Sequence, residues 1–94
     1  MGELRKLPNI AEKLEAQLMQ VGIPTIDALK QTGSREAWLR IAAIDPSACY
    51  MRLCALEGAI QGVRWHHLDE TTKKAMKAFY DANKHTESKA GNRV

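Results

Sequence analysis

Residues 7–33 read LPNIAEKLEAQLMQVGIPTIDALKQTG, and the spacing of their prolines and glycines decides the fold. Pro8-Asn9 and Pro24-Thr25 each place a side chain able to cap orphan amides directly after a proline, which disfavours helix before it. Gly22 and Gly33 close the two runs, because glycine enters the left-handed backbone that ends helices. Ile10, Leu14 and Leu18 recur every four residues with Val21 beyond them, so the first run carries one apolar face. Pro46-Ser47 repeats the signal downstream, and Ser34 and Asp69 can cap two further runs. Five helices follow, over about 10–21, 25–32, 35–44, 47–62 and 69–84. No segment alternates apolar and polar residues over a useful length, so strands have no foothold. The fold class is all-α.

The fourth run is apolar around most of its circumference. Cys49, Leu53, Leu56, Ile60 and Val63 follow a three-four spacing, while Met51, Ala55 and Ala59 occupy another face. Such a helix is the central one that others wrap. The small residues Ala55, Gly58, Ala59 and Gly62 permit close approach. Trp38, Ile41 and Ala42 share a face of the third helix, and Met76, Phe79 and Tyr80 form the inward stripe of the fifth. With 94 residues, 45% apolar and 27% charged, the chain fits one domain over residues 1–84. Residues 85–94 read as a flexible basic tail. The opening MGELRKLPNI lacks the apolar region of a signal peptide, and no run reaches the ~20 apolar residues of a membrane span. Cys49 and Cys54 point about 140° apart on a helix, so neither a disulfide nor a zinc site is expected, and both read as core or near-core. Cytoplasm is the default compartment.

The net charge of +3 is unevenly spread. Residues 1–48 hold six Lys/Arg against six Asp/Glu, whereas residues 71–94 hold six against two. The excess belongs to the last helix and tail, where Lys73, Lys74 and Lys77 read as either a solvated face or a phosphate-tracking patch.

Leu7-Pro8-Asn9-Ile10-Ala11 resembles the helix-hairpin-helix turn, which typically reads Leu-Pro-Gly-Ile-Gly. Asn9 can still adopt left-handed backbone, but Ala11 adds a Cβ where that motif lets a sugar-phosphate backbone approach. The resemblance implies free amides at Asn9, Ile10 and Ala11 facing phosphate, with Arg5, Lys6 and Lys13 nearby. More of the chain, about residues 4–80, resembles the C-terminal domain of the TfoX/Sxy family. Leu7-Pro8-Asn9-Ile10, Gly22-Ile23, Gly33, Ala55-Leu56-Glu57-Gly58-Ala59, Gly62 and Trp65 carry that likeness. It implies a compact five-helix domain of the helix-hairpin-helix or SAM-like orthogonal type, and a part in regulating natural competence in bacteria. Full-length members carry an additional N-terminal domain, so the chain reads as a stand-alone C-terminal module.

Glu57 lies in the most apolar helix and reads as a structural carboxylate paired with Arg40, Arg52 or Arg64 or accepting from a backbone amide. A catalytic carboxylate is the alternative, and no second acid or nucleophile is placed beside it. Trp65 reads as a plug between the fourth and fifth helices. His66 and His67 are adjacent and lack further ligands at metal-binding spacing. No Gly-rich loop follows a strand to cradle a nucleotide. No catalytic, cofactor or metal site is expected. Two functions stay open. One is a non-enzymatic regulatory module making weak, non-specific DNA contact through Arg5, Lys6, Asn9, Ile10, Ala11 and Lys13, or through Lys73 and Lys77. The other is a protein-interaction or self-association module without nucleic acid. Neither involves a membrane, and the oligomeric state is open.

Overall fold

The computed structural model describes residues 3–92, with side chains as far as Asn83. Five α-helices follow one another: α1 Glu12–Gln20, α2 Ile26–Thr32, α3 Ser34–Ile44, α4 Tyr50–Gln61 and α5 Glu70–Asn92. Short 3₁₀ turns at Glu3–Lys6 and Trp65–His67 precede α1 and α5. No strand occurs among the described residues. The side chains of residues 84–92, and residues 1, 2, 93 and 94 entirely, lie outside the described residues; the backbone of 85–92, read from the sequence as tail, continues α5 beyond the expected end at 84.

The glycine stops act as read. Gly22 has φ +86°, and beyond it the Ile23 amide donates to Leu18 O at 2.8 Å. Leu18 and Ile23 are both fully buried, which seals this turn with an apolar contact. Gly62 closes α4 the same way, with φ +80° and Val63 N donating to Gly58 O at 2.9 Å. Thr25 Oγ1 caps α2 by accepting from Ala28 N at 3.0 Å, and Asp69 Oδ1 accepts from Thr72 N at 2.8 Å at the start of α5.

Three expected caps are corrected. Helix α1 starts at Glu12, with Ala11 at its N-cap and no side-chain cap bond, because Asn9 turns its amide group elsewhere. Gly33 caps α3, and the Ser34 hydroxyl instead donates to Glu57 Oε1 at 2.7 Å. Ser47 folds back on Asp45, its amide and hydroxyl both donating to Oδ1, so α4 begins later with Cys49 at its N-cap. Cys49 is exposed, contrary to expectation, while Cys54 is buried. Burial pushes the Cys54 thiol up, which keeps it protonated at neutral pH.

Helix α4 is the hub. It packs against α3, α5 and the Trp65–His67 turn, and it buries Leu53, Cys54, Leu56, Gly58 and Ala59. Buried positions this close in sequence leave little of its circumference to water. Trp38 is 3% exposed, donates from Nε1 to Cys49 O, and meets Phe79 and Tyr80 edge-on. Those contacts hold α5 to the bundle.

The arginine partner expected for Glu57 is also corrected. Among the described residues no arginine reaches it; its oxygens accept from Ser34 Oγ and Gln61 Nε2, each at 2.7 Å. Its removal therefore orphans neutral groups and no buried guanidinium. Glu57→Ala is expected to cost about 1–2 kcal/mol in urea denaturation, below the ~3 kcal/mol of a broken buried ion pair.

A polar network joins α1 to the α3–α4 connection. Gln17 Nε2 and Arg52 Nη1 donate to Asp45 Oδ2 at 2.7 and 2.9 Å. The Ser47 hydroxyl, then Gln17, the Ser47 amide and Arg52 hold the Asp45 carboxyl well below the usual carboxylate range. A carboxylate depressed in the folded state stabilises above its unfolded pKa and loses that contribution as pH falls. Stability is thus expected to decline below about pH 4, and less steeply in Asp45→Asn, as followed by helical circular dichroism.

Candidate functional site

Asn9 organises a surface where the segment read from the sequence as a hairpin meets α4. Its φ is +71°, the left-handed geometry expected of it. That turn aims the side chain at the C-terminal end of α4. Nδ2 donates to Val63 O at 3.0 Å and to Ala55 O at 3.3 Å, while Oδ1 accepts from Trp65 N at 3.1 Å. Gly58 makes room for it, since a Cβ there would lie 2.6 Å from Asn9 Nδ2 and 2.7 Å from Val63 O. One side chain thus fixes the turn before α1, the end of α4 and the Trp65 turn together.

Between these parts runs an open groove of about 430 Å³. Ala11, Lys13 and Leu14 at the start of α1 line it together with Met51, Arg52 and Ala55 of α4 and with Arg64 and Trp65 beyond α4. Among the described residues no Asp or Glu lines it. Lys13 and Arg64 are exposed and have no carboxylate partner among the described residues, whereas Arg52 is engaged by Asp45. The start of α1 has no side-chain cap, so its amides border the same rim, and its first turn also carries Glu12 and Glu15. Chemically, the groove offers cationic donors and amides beside apolar walls, which suits an anion carrying an apolar or aromatic part. Among the described residues no cluster of three His, Cys, Asp or Glu side chains could hold a metal ion, and no helix is long and apolar enough to cross a membrane.

The family model of the TfoX C-terminal domain matches residues 1–80. The chain belongs to this family. It is 33% identical over 79 residues to protein Sxy of Escherichia coli strain K12, covering 84% of this chain and 38% of Sxy. The chain thus spans well under half of that relative's length. Two crystal structures from Listeria monocytogenes share the fold at a TM-score of 0.83. One, an uncharacterized protein in a triclinic form, is 51% identical and covers 84% of this chain and 90% of its own. The other, a protein of unknown function in a tetragonal form, is 50% identical and covers 85% and 98%.

In this TfoX C-terminal domain the predicted contact residues separate into distinct groups. Asn9, Ala11 and Lys13 border the groove. Ile10 is buried in the core, and Arg5 is engaged by the nearly buried Glu15, at 3.1 Å from Nε to Oε1. Lys6 is exposed. Lys73 and Lys77 lie on α5 and do not line the groove; Lys73 Nζ donates to His66 O, and Lys77 pairs with Asp81 at 3.4 Å. Trp65 is half-buried against the core, between α4 and α5. The sequence reading places Arg52 and Arg64 only as partners of Glu57, and it misses their shared groove with Lys13. No local signal joins residues so far apart in the chain.

Proposed function

We propose that this domain is a non-enzymatic regulatory module whose groove holds the anionic backbone of nucleic acid, weakly and without sequence preference. The observation that supports this reading is the groove's charge: among the described residues Lys13 and Arg64 have no carboxylate partner and no Asp or Glu lines the groove. Cations and helix-start amides position phosphates but do not read bases. Membership of the TfoX family supports a role in competence-linked regulation, with DNA contact as this domain's share of it.

Fluorescence anisotropy with duplex DNA across salt concentrations tests the reading. Two phosphate contacts should give a log–log salt slope of about −2. Lys13→Glu with Arg64→Glu should abolish binding at low salt. The charge-matched control Lys30→Glu with Lys74→Glu should retain most of it, since both lysines are exposed and away from the groove. Equal loss in both double variants would reduce the groove to a share of net charge.

The protein-interaction reading has its own support in Met19 and Ile44, 52% and 47% exposed on α1 and α3. Absence of DNA binding together with concentration-dependent sedimentation, lost in Met19→Glu, would favour it.

A further inference from the structure

The groove's walls carry more than charge. We infer that its occupant is a single-stranded nucleic acid, with a base stacked on Trp65 while Arg64 and Lys13 hold the flanking phosphates. This rests on the reading of the groove as a nucleic-acid site.

Three observations lead there. Trp65 lines the groove while partly buried against the core, and its backbone amide is pinned by Asn9 Oδ1 at 3.1 Å. An aromatic residue whose backbone is held in this way can present a stacking surface at small entropic cost. Next to it the exposed His66 ring meets Trp65 edge-on at 5.6 Å, and the exposed His67 ring lies 4.5 Å from His66. Three consecutive rings therefore occupy one 3₁₀ turn immediately after Arg64. Finally, Leu14, Met51 and Ala55 give the groove apolar walls, with Met51 51% exposed.

A duplex makes no use of these features. Its bases are stacked inside, so it can lay phosphates along the open groove but offers no free base face to Trp65. A single strand can turn a base into that space, where the indole face, Met51 and Leu14 replace water. Alternating cations and aromatic faces are the general means of holding such strands without reading sequence.

Binding of a short oligothymidylate, an abasic strand of equal length and a duplex should be compared by anisotropy and by quenching of tryptophan fluorescence. Trp38 is 3% exposed, so quenching reports Trp65. The thymidylate should bind roughly tenfold tighter than either alternative and quench the emission. Trp65→Leu keeps apolar packing but lacks a stacking face; it should lose about tenfold for thymidylate and nothing for the abasic strand. His66→Ala, at an exposed position, should cause a smaller loss and guards against misfolding of the tryptophan variant. Equal affinity for thymidylate and the abasic strand, without quenching, would overturn stacking while leaving the phosphate groove intact. No binding of any strand or duplex at low salt would overturn the underlying reading as well. Polyglutamate binding as tightly as thymidylate would assign the groove to acidic peptide instead.

Discussion

Gly58→Ala is expected to destabilise the domain by about 2–4 kcal/mol, although alanine is the better helix former by nearly 1 kcal/mol. The added Cβ would sit 2.6 Å from Asn9 Nδ2, 2.7 Å from Val63 O and 3.3 Å from Trp65 Cα. Asn9 could swing aside only by giving up its bonds to Ala55, Val63 and Trp65. Val63 O and Trp65 Cα are backbone, and they could yield only by reshaping the end of α4. Urea denaturation followed by helical circular dichroism measures the effect. A neutral or stabilising result would mean that the α4 terminus shifts freely and that the clamp holds nothing in place.

The second large effect is at Asn9 itself. Asn9→Ala removes both poles of the clamp, leaving the Val63 carbonyl and the Trp65 amide without their partner. It also forces a β-carbon residue without a local hydrogen bond to hold φ +71°. Each orphaned group costs about 1 kcal/mol or more, and the left-handed backbone costs about another 1 kcal/mol. A total near 3 kcal/mol is expected. Asn9→Gly keeps the backbone geometry and loses only the clamp, so it should recover about 1 kcal/mol relative to alanine. Both variants should also weaken nucleic-acid binding, because the Trp65 turn loses its anchor. Stability near wild type in Asn9→Ala would show that water replaces the clamp at no cost.

These two positions also show what the sequence makes legible. The glycine stops at 22 and 33, the caps at Thr25 and Asp69, and the left-handed turn at Asn9 all depend on neighbours within a few residues. Local chemistry decides them, and local chemistry is what a sequence displays. Asn9, Ser34 and Ser47 read equally well as caps, yet none caps its helix. Asn9 finds partners 46, 54 and 56 residues away, and Ser34 finds Glu57 23 residues away. Ser47 turns back to Asp45, two residues before it. A short polar side chain takes whichever partner the packed chain offers, and spacing along the sequence does not reveal the distant ones.

The same limit governs the site. Lys13 is legible because it follows the hairpin, but Arg64 reaches the groove only because Gly62 ends α4 and Asn9 pins the turn that follows. Lys73, Lys74 and Lys77 of α5 weigh heavily in the charge count and still lie elsewhere, with Lys73 bonded to a backbone carbonyl and Lys77 paired with Asp81. Net charge marks where cations are numerous. Geometry marks where they converge without carboxylates.

The most direct test is a nuclear magnetic resonance titration of the ¹⁵N-labelled domain with oligothymidylate at low salt. The amides of Ala11, Lys13 and Arg64 and the indole N–H of Trp65 should shift together and saturate along one curve. Shifts confined to Lys73, Lys74 and Lys77 on α5, or none anywhere, would contradict the assignment of the groove as the nucleic-acid site.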